Sequence, residues 1–92
     1  MVKEKEQVDV LEKTEVQKQW FLVIHNDDEN TFEYVIHLLI RVCNLDAIRA
    51  EQCTLISHHN GKCDVKKGSL DEMKKLKIAL VESGLGATVE SV

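Results

Sequence analysis

The amino-acid sequence predicts a small α+β domain in which three short strands and three helices follow one another in the order β-α-α-β-α-β. An apolar run opens the domain, three later stretches repeat apolar residues at helical spacing, and two short stretches alternate apolar with polar residues. A sheet of three strands must bury one face. We therefore expect a sandwich in which the helices pack on one face of a three-stranded sheet.

The first strand and the first helix meet at a polar turn. Residues 20–24, WFLVI, form a β-rich apolar run, and the Asn and Asp residues at 26–28 end it because both types favour turns. Asn30, followed three residues later by Glu33, has the spacing of a capping box. A helix is therefore predicted from about Thr31 to Cys43. Its apolar positions are Phe32, Val35, Ile36, Leu39, Ile40 and Cys43.

The second helix is predicted to begin after Asp46, whose side chain can cap a helix N-terminus. Asn60 and Gly61 end it as a left-handed cap would. One face of this helix carries small residues, and larger apolar residues are expected to thicken the same side. The face comprises Ala47, Ala50, Cys53, Thr54 and Ser57, thickened by Ile48, Leu55 and Ile56.

The last third of the chain predicts a strand, a helix and a strand. Cys63 and Val65 alternate with charged residues, which indicates a short strand that turns at Gly68. Ser69 with Glu72 forms a second capping box, and the helix that follows should end at Gly84. Its apolar stripe comprises Leu70, Met73, Leu76 or Lys77, and Leu80. The final strand carries Leu85, Ala87 and Val89.

Length and composition limit the kind of protein this can be. Ninety-two residues suffice for one core, which we place at residues 18–92, and the polar, weakly periodic residues 1–17 are expected to be a mobile tail. A net charge of −4 argues against nucleic acid as a partner. No apolar run is long enough for a membrane span, and the first residues lack a secretory signal. We expect a cytoplasmic monomer with reduced cysteines.

The most distinctive polar segment is His25, Asn26, Asp27 and Asp28, at the exit of the first strand. Two adjacent carboxylates repel each other, so a cation or backbone N–H groups are expected to neutralise them. The same residues also suit an ordinary turn with acidic residues before a helix. This segment alone does not distinguish a loop whose carboxylates meet a cation or N–H groups from an ordinary turn before a helix.

A second polar cluster contains His58, His59 and Cys63. Combined with His25 and the carboxylates it could be imagined as a zinc site, but its spacing matches no common zinc pattern and adjacent histidines point in different directions on a helix. The sequence has no serine elbow and no catalytic cysteine signature. We expect no catalysis, no metal and no cofactor.

The two clusters together resemble the ClpS family of Clp protease adaptors. The resemblance rests on VIHNDDENTFEYVIHLLI at 23–40 and CTLISHHNGK at 53–62, and it extends over about residues 19–92. It implies an adaptor that grips proteins beginning with a bulky hydrophobic residue, an N-degron, and passes them to the Clp unfoldase, ClpA or ClpC.

The resemblance also implies roles for particular residues of this chain. The α-amino group would be held by Asn26, Asp27, Asp28 and His58, with Asp27 supporting the loop. The side-chain pocket would comprise His25, Asn30, Phe32, Val35, Leu38, Thr54 and Ser57. The unfoldase would dock against Asp71, Glu72, Lys75 and Lys77, and engage the tail. His25 and the polar Thr54 and Ser57 depart from the family pattern, which leaves the preferred first residue open.

Two alternatives remain at this stage. One is a metal-dependent hydrolase that uses His25, Asp27, Asp28, His58 or His59. The other is an interaction domain of the same fold without a peptide pocket, which His25 and Ser57 keep in consideration. Metal content distinguishes the first alternative from an adaptor, and peptides that differ only in their first residue distinguish the second.

Overall fold

A computed structural model describes residues 19–91 of the chain. The predicted order β-α-α-β-α-β is confirmed. The elements are β1 (Trp20–His25), α1 (Phe32–Cys43), α2 (Ala47–Asn60), β2 (Lys62–Gly68), α3 (Leu70–Glu82) and β3 (Ala87–Ser91). The tail predicted at residues 1–17 lies outside the described residues. Within 19–91, none of the helices combines the length and the apolar character that crossing a membrane requires.

The central strand of the sheet is β1, in the order β2-β1-β3, and both of its neighbours run antiparallel to it. Side chains alternate between the two faces of a strand, so Leu22 and Ile24 point the same way. Both belong to one buried cluster with apolar residues of all three helices, including Leu39, Cys53 and Met73. The helices therefore cover this face of the sheet, as predicted.

The helix ends follow the predicted capping chemistry at three places. The Asp46 carboxylate accepts a hydrogen bond from the backbone N–H of Arg49 at 2.7 Å, and the Ser69 hydroxyl accepts one from the N–H of Glu72 at 3.2 Å. Gly61 caps the C-terminus of α2 with a φ of +93°, a conformation that glycine adopts without steric cost. The second and third helices thus begin where the sequence predicted.

The cap predicted for the first helix was wrong by one residue. The hydroxyl of Thr31, not the side chain of Asn30, caps α1, and it accepts from the N–H of Tyr34 at 3.1 Å. The Asn30 side chain instead donates to Asp27 in the preceding loop. Both residues are of capping type, and the loop contact decides between them.

Two further details of the helices differ from the prediction. Ala47, Ile48, Leu55 and Ile56 do not join the buried side of α2; Ile48 is 70% exposed. The buried stripe of Ala50, Cys53, Thr54 and Ser57 follows the helical repeat, and the larger apolar residues lie off it. The third helix ends at Glu82, two residues before Gly84.

Candidate functional site

The loop between β1 and α1 is organised by the carboxylate of Asp27. Its Oδ1 accepts from the backbone N–H groups of Glu29 and Asn30 at 2.9 and 2.8 Å, and its Oδ2 accepts from Asn30 Nδ2 at 2.8 Å. The same Asn30 amide donates to the carbonyl of Gly84 at 2.9 Å. The loop is therefore tied both to itself and to the turn that precedes β3.

These hydrogen bonds also set the charge of Asp27. The backbone N–H of Asn30 contributes most to holding the pKa of Asp27 below its usual 3.8, and partial burial opposes it. The Asn30 side chain and the N–H of Glu29 lower this pKa further. Asp27 is therefore ionised at neutral pH, and both of its oxygens are used inside the loop.

Its neighbours Asn26 and Asp28 have side chains that are exposed and make no hydrogen bond with any residue in the range 19–91. The backbone N–H of Asn26 donates to the carbonyl of Gly61 at 2.9 Å. Since Gly61 caps α2, this bond fixes the loop beside the end of the helix that carries His58. The two polar clusters of the sequence are thereby brought together.

A pocket lies between this loop, α1 and α2. Its volume is about 280 Å³ including the part open to solvent, and its enclosed part holds little more than a water molecule. Eleven residues line it: Ile24, His25, Asn26, Asp27, Asn30, Phe32, Val35, Thr54, Ser57, His58 and Leu85.

Most residues that the sequence suggested for the site line this pocket, but Asp28 and Leu38 do not. Asp28 is exposed on the loop outside it. Leu38 lies about one helical turn beyond Val35, away from the loop, and is buried in the core. Sequence reasoning missed Ile24 and Leu85, which the pocket also contains.

The mouth and the inner wall of the pocket differ in exposure. Phe32 is 40% exposed, and its ring meets the ring of His58 edge-on at a centroid distance of 5.1 Å. Thr54 and Ser57 are each only 4% exposed. The aromatic pair thus stands at the mouth, whereas the two hydroxyl-bearing residues belong to the inner wall.

The side chain of His25 is turned toward β3. Its Nε2 atom lies 2.8 Å from the hydroxyl oxygen of Thr88, within hydrogen-bonding distance. His25 therefore contributes to the pocket wall while one of its ring nitrogens is already engaged by the sheet.

The residues suggested for unfoldase docking all lie on α3, away from the pocket. Asp71, Glu72 and Lys75 are exposed, and Lys77 is half-buried. They form a surface of mixed charge.

The metal-ligand candidates are not assembled into a site. Within residues 19–91, no three His, Cys, Asp or Glu side chains gather as a ligand set. Cys43, Cys53 and Cys63 are free thiols, and burial raises the pKa of Cys43 to about 11 and that of Cys63 to about 12.

The fold and the pocket define a small α+β domain with a recess between a strand-exit loop and a helix end, and comparisons with known proteins identify its family. A sequence model described as ATP-dependent Clp protease adaptor protein ClpS matches residues 15–87. The ClpS adapter of Clostridium acetobutylicum is 35% identical over 71 residues, which cover 70% of each chain. The ClpS adapter of Streptomyces coelicolor is 30% identical and covers 77% of this chain and 74% of its own.

The fold itself matches a solved structure. The structure of Agrobacterium tumefaciens ClpS2 bound to L-phenylalaninamide matches with a TM-score of 0.71 at 22% identity, covering 82% of this chain and 98% of its own. This match concerns the fold. On the sequence matches, the chain belongs to the ClpS family of ATP-dependent Clp protease adaptor proteins.

Proposed function

We propose that this protein binds the free amino terminus of a polypeptide that begins with a bulky hydrophobic residue and presents that polypeptide to a Clp unfoldase, ClpA or ClpC. The observation that carries the proposal is the pocket itself, where polar groups of the loop and His58 border a wall containing Ile24, Val35 and Leu85. An N-terminal residue has the matching arrangement, a cation next to an apolar side chain. Such a role needs binding and no chemical step.

A ligand of this class is known for one relative. Agrobacterium ClpS2 was solved with L-phenylalaninamide, which has a free amino group beside an aromatic side chain. We assign the same class of ligand to the pocket of this chain.

The amino group is assigned to Asn26, Asp28 and His58. An α-amino group has a pKa of about 7.7–8.0, so at neutral pH it is mainly a cation with three N–H donors. Asn26 and His58 line the pocket, and Asp28 lies outside it on the same loop, two residues from Asn26. Among residues 19–91 the side chains of these three accept no hydrogen bond, so their acceptor atoms are available. Asp27 keeps the supporting role because the loop already uses both of its oxygens.

The expected affinity is moderate. Charge-assisted hydrogen bonds contribute about 1.5–3 kcal/mol each, and burying about 150–250 Å² of an aromatic side chain contributes about 4–6 kcal/mol. Association and ordering cost about 4 kcal/mol or more. A dissociation constant of about 1 μM follows, which lets an adaptor release its cargo.

Acetylation of the peptide tests the amino-group assignment. Acetylating a peptide that begins with Phe removes the charge but keeps the side chain, so affinity should fall at least ~tenfold, or about 1.4 kcal/mol, in a calorimetric titration. Asp28→Ala should cause a comparable loss for the free peptide, and the two losses should not add because they remove the same interaction. Equal affinity for free and acetylated peptides would overturn the proposal and leave an interaction domain without N-terminal recognition.

Delivery to the unfoldase is assigned to the tail and to α3. We expect deletion of residues 1–17 to leave the melting temperature and peptide affinity unchanged while slowing degradation of a model substrate by the Clp protease. Binding by the truncated protein is the internal control. A truncated protein that melts much earlier, or that supports full degradation, contradicts the assignment.

A further inference from the structure

The inner wall of the pocket contains two buried hydroxyl groups in different situations. Thr54 and Ser57 lie three residues apart on α2, both line the pocket, and both are 4% exposed. The Thr54 hydroxyl donates to the carbonyl of Ala50 at 2.8 Å within its own helix. The Ser57 hydroxyl makes no hydrogen bond with any residue between 19 and 91.

An unpaired buried hydroxyl is unusual, since native proteins pair nearly all of their buried polar groups. Two polar residues on the loop side of the pocket are already occupied, because Asp27 accepts from the loop and the Asn30 amide donates to Asp27 and Gly84. The Ser57 hydroxyl is therefore available to a ligand atom that reaches the inner wall.

We infer that this pocket selects a first residue whose bulky side chain ends in a hydrogen-bonding group, and so prefers tyrosine to phenylalanine. The inference rests on the proposed function. A serine hydroxyl can both donate and accept, as can the phenol of tyrosine. A phenyl ring at the same place excludes solvent from Ser57 but offers its hydroxyl no hydrogen-bond partner. Phenylalanine therefore binds less tightly than tyrosine.

Entry of either ring requires the mouth to open. The enclosed space holds little more than a water molecule, and the edge-on pair of Phe32 and His58 stands at its entrance. Phe32 is 40% exposed, and exposed side chains change rotamer within nanoseconds. The free-energy cost of opening is therefore the same for tyrosine and phenylalanine. The Ser57 hydroxyl at the inner wall is what distinguishes them.

Three peptides that differ only in the first residue test the inference. They begin with tyrosine, phenylalanine or 4-methylphenylalanine, which has nearly the size of tyrosine but no hydroxyl. Calorimetric titration of the full-length protein should show tyrosine binding about fivefold more tightly than either of the others. Ser57→Ala should bring the three affinities together. Thr54→Val is the matched control and should retain the tyrosine preference, because the Thr54 hydroxyl is already used within the helix.

Equal affinities for the three peptides on the unchanged protein overturn the inference. So does a 4-methylphenylalanine peptide that binds as tightly as the tyrosine peptide, or a tyrosine preference that survives in Ser57→Ala. The comparison on the unchanged protein decides the matter even if Ser57→Ala fails to fold. An acetylated tyrosine peptide that binds as tightly as the free one points instead to failure of the proposed function.

Discussion

The two sides of the pocket are built in opposite ways. On the loop side, Asp27 satisfies three N–H donors and Asn30 bridges to Gly84, so the polar groups that shape the loop are consumed by the loop. On the helix side only the Thr54 hydroxyl is paired, within its own helix, whereas the Ser57 hydroxyl makes no hydrogen bond within the described chain and His58 has only ring contacts there.

The difference separates positioning from recognition. A loop held by its own hydrogen bonds does not have to be ordered when a ligand binds, which lowers the entropic cost of association. Side chains without protein partners are the ones that can exchange solvent for a ligand. The adjacent residues Asp27 and Asp28 show the same division within one loop, and variants at this pair test it most directly.

The largest effect is expected for Asp27→Ala. Removing this carboxylate leaves the N–H groups of Glu29 and Asn30 without their acceptor, so the loop loses its shape. We expect peptide affinity to fall at least about tenfold and the free energy of unfolding to fall by about 1 kcal/mol. Calorimetric titration and urea denaturation measure the two effects.

Asp28→Ala is the matched control for this variant. Its carboxylate accepts no hydrogen bond from residues 19–91, so affinity should fall while the free energy of unfolding stays within about 0.5 kcal/mol of the original. If both variants lose stability equally, the division of roles between the two aspartates is wrong.

A smaller effect is expected at the mouth of the pocket. Phe32 and Tyr34 are 40% and 39% exposed on the same helix, but Phe32 contacts His58 whereas the Tyr34 hydroxyl donates to the carbonyl of Ser83 at 2.6 Å. Phe32→Ala should weaken binding of a peptide with an aromatic first residue about threefold to tenfold with little change in melting temperature. Tyr34→Phe should lower the melting temperature and leave affinity unchanged. Unchanged affinity in Phe32→Ala would mean that Phe32 has only a structural role.

Most of the fold could be predicted because it depends on local patterns. The run at Trp20–Ile24, the caps at Asp46 and Ser69, and Gly61 after α2 are each recognisable within a few residues of sequence. The first cap was misplaced because Asn30 and Thr31 have similar local propensity, and a contact to Gly84, 54 residues away, decides between them.

The site was less predictable because it depends on contacts between residues that are distant in the sequence. Asn26 and His58 are recognisable from their motifs, but the hydrogen bond between Asn26 and Gly61 that brings the motifs together is a tertiary contact. Leu85 reaches the pocket because it follows Gly84, whose carbonyl accepts a hydrogen bond from Asn30. The sequence around Leu85 contains no local pattern that predicts this position. Ile24 had a weak signal, since it is the last core-facing residue before the turn.

The smallest predicted effect is a loss of folding stability at low pH. The pKa of Asp27 is lower in the folded protein than its usual 3.8, chiefly because the N–H of Asn30 donates to the ionised carboxylate. A carboxyl group with a depressed pKa stabilises the fold above its unfolded-state pKa, and this contribution is lost as the pH falls through the folded-state pKa.

Asp27 is only partly buried and solvent screens its charge, so the contribution should be below about 1 kcal/mol. Urea unfolding of the original protein and of Asp27→Asn, measured from about pH 6 to about pH 2.5, should show a stability difference that is constant at the upper end and shrinks below about pH 3.8. Asp28→Asn is the control and should retain the acid-dependent loss, because Asp27 and its three hydrogen bonds are still present. A stability difference between the original and Asp27→Asn that does not change with pH would mean that the loop recognises the shape of the Asp27 side chain rather than its charge.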